Sequence, residues 1–119
     1  MSQQPQLVEA IIEGILEKKG RRIAVVDLNR IITAPAKYFV VCEANTPQQV
    51  QALTRSIGNT AIEQAGEKAA ATIGTQASQW VAMDFGTVLV HIFLPELREF
   101  YDIENLWEDA DITWLPEEN

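Results

Sequence analysis

Residues 79–93 read Gln-Trp-Val-Ala-Met-Asp-Phe-Gly-Thr-Val-Leu-Val-His-Ile-Phe. Two strand-like runs, Gln79–Asp84 and Thr87–Phe93, flank Phe85-Gly86, and Gly86 can take the positive φ that a tight hairpin needs. With Phe85-Gly86 as a two-residue turn, the pairing follows by counting. Asp84 faces Thr87, Ala82 faces Leu89 and Trp80 faces His91, while Met83 meets Val88 and Val81 meets Val90. Strand side chains alternate between faces, so Val81, Met83, Val88, Val90 and Ile92 form one wholly aliphatic core face. The other face holds Trp80, Asp84, His91 and Phe93 beside Ala82 and Leu89. Asp and His are seldom enclosed on a sheet face without partners. That face is therefore expected to be partly exposed, or to line a groove under the last helix. A Trp beside a His in such a place fits a binding hot spot; the alternative is a buried aromatic pair covered by the C-terminal helix.

Upstream, Leu7, Ile11 and Ile15, with Val8, Ile12 and Leu16, make one wide apolar stripe, the mark of an amphipathic helix. Lys18 and Lys19 suit its negative end, and Gly20 is the expected stop. Arg22–Leu28 and Tyr38–Ala44 are short, almost continuously apolar runs, expected as buried strands. NRIITAPAK (29–37) connects them as a loop. Thr46-Pro47-Gln48-Gln49 announces a second helix, with Thr46 as cap and Gln49 completing a capping box. Val50, Leu53, Ile57 and Ala61 form its inward stripe, and Gly66 its end. Residues 67–78 are expected as a loop or weak edge element.

Downstream, Pro95 starts a helix expected to reach about Ile103 or beyond, with Phe100, Ile103 and Leu106 inward and Leu97 and Tyr101 as an i,i+4 pair. Residues 110–119 are expected as an acidic, solvated tail. Arg98, the lone cation among Glu96, Glu99 and Asp102, is expected to be a positioned salt-bridge or recognition residue. The order α-β-β-α-β-β-α, with room for one more weak strand, predicts an α/β fold: a mixed sheet flanked by helices in one 119-residue domain.

Composition narrows the function. No apolar run approaches the roughly 18 residues that span a bilayer, and the N-terminus lacks signal-peptide regions, so a cytoplasmic location is expected. The single cysteine, Cys42, is expected to be a small core residue. Nine Lys and Arg against seventeen Asp and Glu give a net charge of −8. Such a surface disfavours binding nucleic acid over a broad face and suits a basic partner. One His and one Cys do not make a zinc site. There is no P-loop and no GxGxxG, and Asp84-Phe85-Gly86 lacks every other kinase element. Ser2, Ser56 and Ser78 sit in poor contexts for a catalytic triad. Asp27 and Asp84 each end a strand, but no spacing supports a metal site.

WVAMDFGTVLVHIFLPELREFYDIENLW resembles the signature of the ribosomal silencing factor, or Iojap-like, family. That pattern is roughly W-x-x-x-D-x-G-x-x-x-x-H-x-[FM], then R-x-[FY]-Y-x-[LI]-E-x-L-W. It falls here on Trp80, Asp84, Gly86, His91, Phe93, Arg98, Phe100, Tyr101, Ile103, Glu104, Leu106 and Trp107. VVDLNRI and YFVVCEANTPQQVQAL are similar to the family's first half. Ile73 stands where most members have Glu, and Thr87 where Asp is frequent. The resemblance implies a nucleotidyltransferase-like fold without the catalytic motif, no enzyme activity and no cofactor. It implies binding to the large ribosomal subunit through its protein number fourteen, blocking the small subunit and lowering translation when nutrients are scarce. It also implies a homodimer in solution. The docking constellation expected here is Trp80, Asp84, His91, Phe93, Arg98, Tyr101, Glu104 and Trp107. Trp80 and Tyr101 would be anchors, Asp84 and Glu104 would meet partner cations, and Arg98 would orient Glu104. A homodimer interface using the same aromatics and a vestigial nucleotide site are the competing readings.

Overall fold

The computed structural model describes residues 5–117. Its elements are α1 (Gln6–Glu17), β1 (Arg21–Asp27), β2 (Tyr38–Glu43), α2 (Pro47–Ala65), β3 (Ala71–Ile73), β4 (Trp80–Asp84), β5 (Val88–Phe93), α3 (Pro95–Tyr101), a 3₁₀ turn (Ile103–Asn105) and β6 (Asp111–Trp114). The strands form one sheet in the order β3-β4-β5-β2-β1-β6. β2 and β5 are parallel and the other neighbours antiparallel. This is the expected mixed sheet with helices on its faces.

α1 and α2 cover one face, over Val25, Val40, Cys42, Val81, Met83, Val90 and Ile92. Their contact is close because Gly14 has no side chain. A Cβ there would lie 2.5 Å from Thr60 Oγ1 and 2.8 Å from Ile57 Cα. Ser56 Oγ donates to the Gly14 carbonyl, and Thr60 Oγ1 to that of Ala10, each at 2.7 Å. These two hydroxyls are thereby satisfied inside a helix–helix interface. Cys42 is fully buried, and burial pushes its thiol up to about 12, so it behaves as a small core residue.

α2 starts at Thr46, whose Oγ1 accepts from Gln49 N–H at 3.1 Å, and ends at Gly66 in the left-handed region (φ 65). The Gln49 side chain reaches one residue beyond a standard capping box. Its Oε1 accepts from Asn45 N–H at 2.8 Å, and its Nε2 donates to the Lys18 and Lys19 carbonyls, each at 3.1 Å. It thus ties the start of α2 to the end of α1. The left-handed residue after α1 is Lys19 (φ 61), in place of Gly20. Gly20 serves space instead: a Cβ would sit 2.5 Å from Ile15 Cγ2.

The second face buries Val26, Leu28, Phe39, Val41 and Phe93 under Ile31 and Ala34 of the 28–37 loop and under Leu97, Ile103 and Trp107. In the β4–β5 hairpin Asp84 pairs with Leu89, Ala82 with His91 and Trp80 with Phe93. The turn is therefore wider than two residues. Phe85 N–H donates to the Val88 carbonyl at 2.9 Å, and Asp84 Oδ1 accepts from Gly86 N–H at 2.7 Å. Each partner moves by two positions from the expected pairing, an even number, so each side chain keeps the face assigned to it.

Residues 71–73 form the edge strand β3, the weak edge element expected within 67–78. Two expectations are corrected. Asp111–Trp114, expected within a solvated tail, form β6 along β1; Ile112 packs on the second core and Asp111 meets Arg30 at 3.1 Å. Glu118 and Asn119 lie outside the described residues. The last helix stops at Tyr101, because Asp102 adopts φ 47. Among the described residues no helix is long and apolar enough to cross a membrane.

Candidate functional site

The carboxyl ends of β2 and β5, the start of β4 and the start of β1 meet at one end of the sheet, through the pairs Glu43–Phe93, Trp80–Phe93 and Arg21–Glu43. α3 leaves β5 there with Pro95 in its first turn. In an unbroken helix, residues 98 and 104 would point roughly 120° apart. The left-handed Asp102 reverses the chain, and Asn105 Nδ2 holds the reversal by donating to Asp102 Oδ1 at 2.7 Å. Glu104 is thereby returned to Arg98, whose Nε donates to Glu104 Oε2 at 3.3 Å. Arg98 Nη1 donates to the Arg22 carbonyl at 2.6 Å and to Glu43 Oε1 at 3.4 Å. Arg98, Glu43 and Glu104 are all buried. Each buried charge thereby has an opposite charge beside it, which offsets its loss of water. The Trp114 ring lies 5.2 Å from the Arg98 guanidinium and 5.6 Å from that of Arg22.

Beside this network the aromatic rings stack. Trp80 lies 5.0 Å from Phe93 and 4.6 Å from Tyr101, centroid to centroid. Phe39 bridges His91 at 4.9 Å and Trp107 at 5.3 Å. Trp80 Nε1–H donates to His91 Nδ1 at 3.1 Å. An indole can only donate, so the neutral imidazole carries its proton on Nε2. Burial pushes the His91 pKa down to about 4, which keeps the ring neutral and able to accept.

The eight residues expected to dock divide by depth. His91, Phe93, Arg98 and Glu104 are buried; Trp80, Asp84 and Trp107 are half-buried; Tyr101 is exposed. Trp80, His91, Phe93 and Tyr101 form one cluster, Arg98 and Glu104 form another, and Trp107 joins through Phe39. Asp84 stands apart, four residues along β4 from Trp80, roughly 13 Å on, with one oxygen capping the hairpin turn. The Trp80–His91 pair is mostly covered, closer to the buried-pair alternative than to an open hot spot. Phe100 and Leu106, expected inward, are 78% and 62% exposed and flank Tyr101 in sequence. The chain reversal at Asp102 takes Leu106 off the helical face on which spacing placed it with Phe100. Arg22, Glu43 and Trp114 complete the charge network; only the solitary cation Arg98 hinted at it. Among the described residues no group of three His, Cys, Asp or Glu side chains could hold a metal.

A family model described as "Ribosomal silencing factor during starvation" matches residues 1–119. The chain belongs to that family. Ribosomal silencing factor RsfS of Bacillus subtilis is 35% identical over 99 residues, 83% of this chain and 82% of the relative. The same-named protein of Halalkalibacterium halodurans is 32% identical over 105 residues, 88% of each chain. A crystal structure of a Chromobacterium violaceum protein superposes with a TM-score of 0.79 at 28% identity, covering 93% of this chain and 92% of that one. In this silencing factor, apart from the hairpin turn at Asp84–Thr87, the segment from Trp80 to Trp107 gathers at the sheet end just described. It holds the buried scaffold and the exposed aromatics in one segment.

Proposed function

We propose that this silencing factor docks on the large ribosomal subunit through that subunit's protein number fourteen, and represses translation under nutrient limitation by occupying the face the small subunit needs. It works by steric occlusion in the cytoplasm, without catalysis or cofactor, and its nucleotidyltransferase-like framework serves only as a scaffold. One observation carries the site: Phe100, Tyr101 and Leu106 stand exposed over a base of buried, mutually bonded side chains. Large aromatic anchors on a rigid support are what interface hot spots require. Tyr101 is the outer anchor, the half-buried Trp80 stacks behind it at 4.6 Å, and Phe100 and Leu106 are added to the contact. His91, Phe93, Arg98, Glu104 and Trp107 position them from beneath, and Asp84 contributes its free oxygen to a partner cation at the contact's edge. The net charge of −8 favours a basic partner.

The test is co-sedimentation with isolated large and small subunits, followed by addition of the missing one. The protein is expected with the large subunit alone, and joined ribosomes decrease. Tyr101→Ala should weaken binding by more than about tenfold, the effect of a hot spot worth about 2 kcal/mol. A protein left at the top of the gradient at low salt would refute the docking. Binding without loss of joining would refute the occlusion. Self-association abolished by Tyr101→Ala, with subunit binding intact, would instead assign the ridge to a homodimer.

A further inference from the structure

The cations of this acidic chain gather at a place the docking ridge does not use. Lys18, Lys19, Arg21 and Arg22 are four of its nine Lys and Arg residues, and all four are exposed in the turn from α1 into β1. A cleft of about 440 Å³ opens beside that turn, with Leu16, Ile23 and Pro116 as apolar wall and Lys19, Arg21 and Asn45 at its polar rim. Small-molecule sites share this size and this mixture of apolar wall and few polar groups. The cleft lies where β2 ends and α2 begins, the carboxyl end of a parallel strand, where open α/β sheets place their ligands.

The cleft already receives an anion. β1 is irregular between Arg21 and Ala24, and Arg22 adopts φ 50. Its N–H donates to Glu117 Oε2, at 3.1 Å. Glu117 itself lines the cleft. The chain's own carboxylate thus sits where a ligand's anionic group would. Opposing charge is limited. The buried Glu43 faces Arg21 at 3.8 Å and Arg22 at 3.2 Å, and Glu17 is exposed at the end of α1. Asn45 Oδ1 holds Arg21 in place at 2.8 Å.

We propose that this cleft binds a small organic anion. Its phosphate or carboxylate is held by Arg22 N–H, Lys19 and Arg21, and its short apolar body lies against Leu16, Ile23 and Pro116. Glu117 is the internal competitor that the ligand displaces. The site uses none of the exposed ridge side chains, and meets the ridge's base only at Arg22, whose carbonyl accepts from Arg98.

The test is a titration of the full chain, followed by backbone amide NMR, with phenyl phosphate, benzoate and inorganic phosphate as separate probes. Saturable shifts at residues 19–23, 45–49 and 115–117 are expected, with phenyl phosphate or benzoate binding more tightly than inorganic phosphate. Which of the two wins tells a phosphate ligand from a carboxylate. Glu117→Gln should tighten binding by about threefold to tenfold, because apparent affinity falls with the fraction of time the site is blocked. Lys19→Gln should weaken it. Both substitutions alter exposed side chains and leave circular dichroism unchanged. Absence of saturable shifts in Glu117→Gln overturns the site. So do shifts that neither variant changes, which mark only a loose ion atmosphere. A single-stranded RNA oligomer that shifts the same amides while the small probes do not overturns it too, and assigns the basic run to nucleic-acid phosphates.

Discussion

Arg98 is the only cation after Glu96 in the sequence, and its guanidinium points inward, to Glu43, Glu104 and the Arg22 carbonyl. Removing one partner of a buried ion pair leaves the other uncompensated, at a cost of about 3–5 kcal/mol. Arg98→Met should lose that much in urea unfolding. Glu104→Gln, which keeps the shape and one acceptor, should lose only about 1–2 kcal/mol. His91 gives a pH dependence of known sign. Its pKa drops from an ordinary 6.5 to about 4 on folding, so the unfolded chain binds the extra proton between those values. Its contribution is complete above about pH 6.5 and is lost as pH falls towards 4, with a size on the order of 3 kcal/mol. Carboxylates titrate at the acid end of that window, so the difference between wild type and His91→Gln isolates the imidazole. Urea midpoints at pH 7 and pH 5 should converge less in the wild type than in the variant. Equal slopes in both would show that His91 is not held neutral by folding.

Among the elements, the α1–α2 pair sets two effects against each other at Gly14. Alanine is intrinsically better in a helix by about 1 kcal/mol. Here its Cβ would meet the Ile57 backbone at 2.8 Å, so the helices must separate. Gly14→Ala should therefore destabilise by about 1–3 kcal/mol, the range for overpacking; a raised melting temperature would contradict that contact. β6 depends on Trp114, whose ring covers two guanidiniums. Trp114→Ala should cost about 1–2 kcal/mol and strip hydrogen-exchange protection from 111–114 while sparing β2 and β5. The hydrophobic pattern alone reveals the central strands and both long helices, because Val40–Cys42, Val88–Ile92 and the capped Thr46 leave few alternatives. It also places every hairpin side chain on its face despite the wrong partner. β6 is hard to see in the sequence because its two packing residues, Ile112 and Trp114, sit amid acidic residues that read as solvated. Helical spacing turns Phe100 and Leu106 inward because it assumes a continuous helix, and no periodicity reveals a single left-handed Asp102.

At the scale of the whole molecule, the basic run and the exposed apolar side chains come from opposite ends of the chain. The exposed Phe100, Tyr101 and Leu106 lie in the acidic C-terminal third, and the basic run lies at the α1–β1 turn. Association with a basic partner should slow as salt rises, whereas ridge variants such as Phe100→Ala should mainly speed dissociation. Stopped-flow binding at two ionic strengths separates the two; a salt-independent on-rate would exclude steering by the acidic field. The chain has three tryptophans, and Trp80, Trp107 and Trp114 contact Tyr101, Phe39 and Arg98 in turn. All three therefore report on the layer beneath the docking ridge, and the helical layer is optically silent. Tryptophan emission should respond to occupation of the ridge, and to protonation of His91 through its bonded indole. A lesion confined to α1 and α2 should shift the melt and leave the native spectrum as it was.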